Sequence, residues 1–209
     1  MSTSWRGEAT DLLRYGFDPE HKELRVLAQD VLRRQQEILQ ETYANLLRKG
    51  YTFPNQHEVL KVHGGELLQP MDLFILLEKH GYWVDKETSW KNIVDAGFSY
   101  VHNDIAAVVD AVHGSGGVCL IAHPGRGAGE TRYDVSLLDQ LRQEVPIDGF
   151  EAHYPTHTKE QTAMYLEYAQ KHNLLVSSGS DSHRPEHKPI KYRAELSRRL
   201  LERVGIQVR

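Results

Sequence analysis

An α/β fold with a largely parallel sheet is what this sequence predicts, and two observations in its C-terminal half carry the prediction. Three short apolar runs, 117–122, 147–151 and 174–178, are separated by stretches of helical spacing near 135–144 and 158–172. Strands that are almost continuously apolar and alternate with helices form parallel sheets covered on both faces. Each run also ends on groups that carry chemistry. Gly117 to Ala122 leads into His123-Pro124-Gly125-Arg126, Ile147 to Phe150 into Glu151-Ala152-His153, and Leu174 to Ser178 into Gly179-Ser180-Asp181-Ser182-His183. Ligands and chemistry gather at the carboxyl ends of such strands.

The remaining elements follow in order. Leu12 to Phe17 is a short apolar run closed by Asp18-Pro19, which reads as a strand and a turn. A long helix then runs to about Lys49, because Leu24, Leu27, Val31, Ile38, Tyr43 and Leu46 recur at roughly helical spacing and Gly50 stops it. From Tyr51 to Gly114 the pattern gives shorter helices, punctuated by Gln69-Pro70 and Gly81, with Asn103-Asp104 as a cap for Ile105 to His113. The expected organisation is therefore an α/β portion, 1–19 and 115–209, around a helical insert, 20–114, with a last helix near 192–204. Three clear strands and one near Leu12 are too few for a closed (β/α)₈ barrel, which takes about 250 residues.

Composition narrows the function classes. A formal charge of −4 on 209 residues gives no electrostatic case for non-specific nucleic-acid or membrane binding. No apolar stretch approaches the roughly 20 residues that span a bilayer, and the N-terminus lacks the apolar core of a signal peptide. The single cysteine, Cys119, lies inside an apolar run, excludes disulfides within the chain and fits a reducing cytoplasm. Most of the twelve histidines sit in polar stretches and read as solvated.

Asp181-x-His183 is the sharpest signal. Side chains at i and i+2 of an irregular loop can reach one ion, and a carboxylate with a neutral imidazole suits Zn²⁺, Mn²⁺ or Fe²⁺. The bland alternative is an Asx turn with His183 in solvent. His123, held extended by Pro124, projects from the neighbouring strand end unless it merely bonds a carbonyl. Arg126 lies in the Gly-rich turn 125–129 and suits a bidentate phosphate contact; a surface loop is the alternative. His157, just before a helix start, reads as a phosphate contact or proton donor, or else as a surface cap. Arg184 is a further candidate for substrate, although a solvated side chain is the simpler reading. Glu151 and His153 share one side of a strand, and their roles stay open. Tyr82, Trp83 and Trp90 in the insert read as core before they read as base-stacking platforms. Together these residues look like half of a metal-dependent hydrolase site.

The stretches from Gly117 to Arg126, Gly149 to His157 and Ser178 to His183, with Leu12 to Pro19 before a long helix, resemble the PHP (polymerase and histidinol phosphatase) superfamily. The branch they resemble is that of stand-alone phosphoesterases, nucleoside 3′,5′-bisphosphate phosphatases and related exoribonucleases. The resemblance implies a distorted (β/α)₇ TIM-like barrel with up to three metal ions, of which His123, Asp181 and His183 would be ligands here. It implies a small phosphorylated substrate, a nucleotide first, with no membrane partner and no stable nucleic-acid complex. Histidinol phosphatase shares the fold and is an alternative. The family's opening elements, an H-x-H strand, an Asp, a D-H turn and a G-x-E strand, have no counterpart in this sequence. Asp11 stands where many members carry a ligand histidine, so it is a candidate ligand. The expectation is a PHP barrel without its N-terminal strands, with Mn²⁺, Zn²⁺ or Fe²⁺ as cofactor and one bound ion or none. A non-catalytic remnant that binds an anion or a partner is the competing reading.

Overall fold

The structure, a computed structural model, describes residues 2–61, 64–127, 131–182 and 188–208. Two compact units make up the chain, Met1–Leu27 with His102–Arg209, and Ala28–Val101.

The first unit is built on a six-stranded mixed sheet in the order β3-β1-β2-β4-β5-β6. Its strands are β1 (Ser2–Trp5), β2 (Glu8–Tyr15), β3 (Asn103–Asp104), β4 (Val118–Ile121), β5 (Gly149–His153) and β6 (Leu175–Ser178). The three apolar runs become β4, β5 and β6, which pair in parallel, Leu120 opposite Gly149 and Phe150 opposite Val176. β4 explains why such a strand is apolar throughout. Cys119 and Ile121 enter one core with α5 (Ile105–Gly114), α6 (Val135–Glu144) and α7 (Lys159–Lys171), while Val118 and Leu120 pack on the opposite face beside Leu200 of α8 (Arg198–Arg203). Burial pushes the Cys119 thiol up to about 12, as expected of a small core residue.

The N-terminal edge departs from the parallel pattern. β1 and β2 form an antiparallel hairpin, and β2 also runs antiparallel to β4. Arg6 and Gly7, both at positive φ (51° and 84°), make its two-residue connection, the geometry that matches the twist of paired strands. No apolar alternation announces the hairpin, because buried Thr3 of β1 and Thr10 of β2 occupy it with polar contacts: Thr3 bonds the Thr10 carbonyl and Thr10 Oγ1 meets the Tyr133 hydroxyl at 2.7 Å.

Helix α1 (Lys22–Arg48) starts four residues after Asp18 and ends before Gly50. Its Leu24 and Leu27 join the first unit's core, and Leu39 and Leu46 join that of the second. Helix α5 belongs to the first unit, because Ile105, Val108, Val109 and Val112 pack against the sheet. Asp104 caps it through the Ala107 N–H.

The second unit is helical, with α2 (Gln56–Val59), α3 (Pro70–Lys79) and α4 (Lys86–Val94) gathered on Leu73, Leu76, Ile93 and Phe98. Tyr82 packs against Tyr51 and Phe53, and Trp83 and Trp90 against Phe74. No described helix is long and apolar enough to cross a membrane.

Candidate functional site

The carboxyl ends of β4, β5 and β6 lie side by side, and β2 brings Asp11 to the same level from the other direction. Leu12 pairs with Ile121, so Asp11 falls beside Ala122, whose N–H donates to the Asp11 carbonyl at 2.9 Å. One residue on, His123 Nε2 faces Asp11 Oδ2 across 4.0 Å. The sheet register thus brings together two candidates far apart in sequence.

His123 is not extended. Its φ is 29°, a left-handed conformation costly for a non-glycine residue, although the following proline favours the extended region. Two backbone bonds override that preference. The His123 N–H donates to Glu151 Oε2 at 3.0 Å, and its carbonyl accepts from the Arg126 N–H at 2.9 Å. The strand therefore turns sharply at His123, and the imidazole is buried at 7% exposure.

The turn that follows is held by the start of α7. Gly125 N–H donates to His157 Nε2 at 3.1 Å, and Gln161 Nε2 donates to the Gly125 carbonyl at 3.1 Å. The other end of the Gln161 amide accepts from Thr158 N–H, completing a capping box. A Cβ on Gly125 would crowd His157 and Gln161 at 2.8 to 3.0 Å, so only glycine fits. His157 must accept at Nε2, and its proton therefore sits on Nδ1, 3.1 Å from the Ala152 carbonyl. As placed, this ring is a neutral brace, with no proton aimed at a leaving group. Burial, first of all, pushes its pKa below the ordinary histidine value.

Arg126 and Asp181 meet across the mouth. The guanidinium donates to Asp181 Oδ2 at 3.0 Å, and the Tyr154 hydroxyl donates to the same oxygen at 2.8 Å. Burial, then the bond to Asp181, drives the Tyr154 pKa upward, so the phenol stays protonated. Glu151 lies beneath, 4% exposed. Desolvation raises its pKa, opposed by the His123 N–H it accepts. His153 ends β5 and its carbonyl accepts from the Gly179 N–H, while burial depresses its ring pKa. The sequence does not mark Tyr154 or Gln161 as site residues, because each works through a partner at least 27 positions away. His183 and Arg184 lie outside the described residues.

One imidazole and two carboxylates, His123, Asp11 and Asp181, are chemically suited to a divalent ion. Among the described residues, however, no three His, Cys, Asp or Glu side chains converge as a cation site. Asp181 is turned to Arg126 and Tyr154.

The sequence matches no protein-family model. It is 26% identical over 190 residues to a 3′,5′-nucleoside bisphosphate phosphatase of Chromobacterium violaceum, covering 88% of this chain and 66% of that protein. It is 24% identical over 189 residues to a 5′-3′ exoribonuclease of Haemophilus influenzae, covering 88% and 68%. The chain thus spans about two thirds of the length of these curated relatives. Among solved structures it superposes on a Bifidobacterium adolescentis protein proposed to be a metal-dependent phosphoesterase, with a TM-score of 0.74 at 19% identity, over 100% of this chain and 75% of that one. These likenesses are consistent with the PHP resemblance of the sequence motifs. A second structure, a Chromobacterium violaceum amidohydrolase with bound sulfate and no metal, gives a TM-score of 0.70 at 21% identity over 91% of this chain and 69% of that one. At these identities the structural likeness shows the fold.

Proposed function

We propose that this PHP-like chain is part of a metal-dependent phosphoesterase that acts on nucleotides, either nucleoside 3′,5′-bisphosphates or short RNA ends. The observation that carries the reading is the pairing of His123 with Asp11 and of Arg126 with Asp181 at neighbouring strand ends. The phosphatase and exoribonuclease likenesses support its direction.

In this reading His123, Asp181, His183 and Asp11 would hold divalent metal, Mn²⁺, Zn²⁺ or Fe²⁺. Held there, the ion would supply Lewis acidity for polarising the phosphate and activating water. The protein's own part is positional and electrostatic. Arg126 neutralises phosphate oxygens and exchanges its Asp181 partner for substrate. His157 and Gln161 hold Gly125 so that Arg126 is presented in one place, and Arg184 is a second candidate contact. The Tyr154 hydroxyl keeps Asp181 oriented.

Inorganic phosphate released from a nucleoside 3′,5′-bisphosphate, with and without added Mn²⁺ or Zn²⁺, tests the proposal. Metal-dependent release that falls at least about a hundredfold in Arg126→Ala is expected. No release from nucleotides or small phosphate esters with any of these metals would count against it.

A further inference from the structure

Glu151 is a buried carboxylate that the proposed chemistry does not use, and its surroundings give it a task. Oε2 accepts the His123 backbone N–H at 3.0 Å, 28 positions away in sequence, while His123 sits at a φ of 29°. Its other oxygen, Oε1, fills the space beside Gly179: a Cβ there would overlap it. Gly179 has no positive φ, so its missing side chain makes room and does not relieve the backbone. The Gly179 N–H in turn donates to the His153 carbonyl at 3.0 Å. One carboxylate therefore reaches from β5 to the residue that ends β4 and to the residue that follows β6.

We infer that Glu151 is a positioning residue: its carboxylate, seated against Gly179, holds His123 in the left-handed turn that aims the imidazole at Asp11. The reason is energetic. A left-handed non-glycine residue is strained and persists only where its surroundings over-determine it. A side-chain acceptor on this buried backbone N–H supplies that constraint, because a buried donor left unpaired is costly. Outer partners that orient a metal ligand commonly change affinity by about 10–100-fold when removed. The aiming of His123 matters for catalysis only if the phosphoesterase reading holds, and the inference rests on that reading to this extent.

Three variants test it. Glu151→Gln keeps an acceptor at the same reach, Glu151→Ala removes it, and Gly179→Ala displaces it without altering Glu151. The readouts are the His123 backbone ¹³Cα and ¹⁵N shifts in the full chain, and the affinity for Mn²⁺ alone. His123 shifts near wild type in Glu151→Gln, and moved towards extended values in Glu151→Ala and Gly179→Ala, are expected. Mn²⁺ affinity should follow, within about threefold of wild type for the glutamine variant and at least about tenfold weaker for the other two. Unmoved His123 shifts in Glu151→Ala would overturn the inference. So would a glutamine variant as damaged as the alanine one, since charge or direct ligation would then be what matters. Should Glu151→Ala fail to fold, the glutamine and Gly179→Ala variants decide. Wild-type protein that binds no Mn²⁺ would sink the metal reading, while the His123 shifts would still decide the role of Glu151.

Discussion

His157 shows how much a single residue's bonding can say about its proton. Gly125 N–H leaves Nε2 no choice but to accept, and Nδ1 donates to the Ala152 carbonyl. Burial holds the folded pKa below the ordinary value of 6.5, so the unfolded chain takes up this proton more readily than the folded one. Stability is therefore expected to fall as pH drops below 6.5, until the folded state is protonated as well. Urea unfolding at several pH values between about 7 and 5 measures the slope. In His157→Gln, which never charges, the slope should be shallower; an unchanged slope would assign the pH dependence elsewhere. The imidazole's place before a helix was legible in the sequence, but its task was not, because that depends on a glycine 32 positions away. His123 teaches the same lesson. The proline after it argues for extended backbone, and a carboxylate 28 positions on reverses the outcome.

Among the elements, α7 couples packing to the site most directly. Thr158 caps it, Gln161 closes the capping box, and the same Gln161 amide reaches the Gly125 carbonyl. Thr158→Ala should lower stability by about 1 kcal/mol in urea unfolding and leave the fold intact. A loss indistinguishable from zero would mean that the box is not formed in solution. Strands apolar on both faces and helices with a regular apolar stripe could be read from the sequence. β4, β5 and β6 are such strands, and α6 and α7 are the helices between them. The β1–β2 hairpin could not be read that way. Its buried positions include Thr3 and Thr10, and its turn depends on positive φ at Arg6 as well as Gly7. Helix α5 was legible as a helix, with Asp104 as its cap, but its membership of the sheet unit comes from long-range packing of Val108 and Val112.

For the molecule as a whole, the α/β class and the convergence of strand ends were visible in the pattern of apolar runs ending in His123, Glu151 and Asp181. The antiparallel edge and the approach of Asp11 to His123 were not. They depend on β2 pairing with β4 in a register that places Leu12 against Ile121. Asp11 and His123 are 112 positions apart, and only the sheet brings them to 4.0 Å. Under the proposed function these strand ends would hold a divalent metal ion. Titration of metal-free protein with Mn²⁺ or Zn²⁺, followed by calorimetry in wild type, His123→Ala and Asp181→Ala, tests it most directly. One saturable ion per chain in the wild type and at least about tenfold weaker binding in each variant are expected. Absence of saturable binding, or binding indifferent to both substitutions, would contradict it.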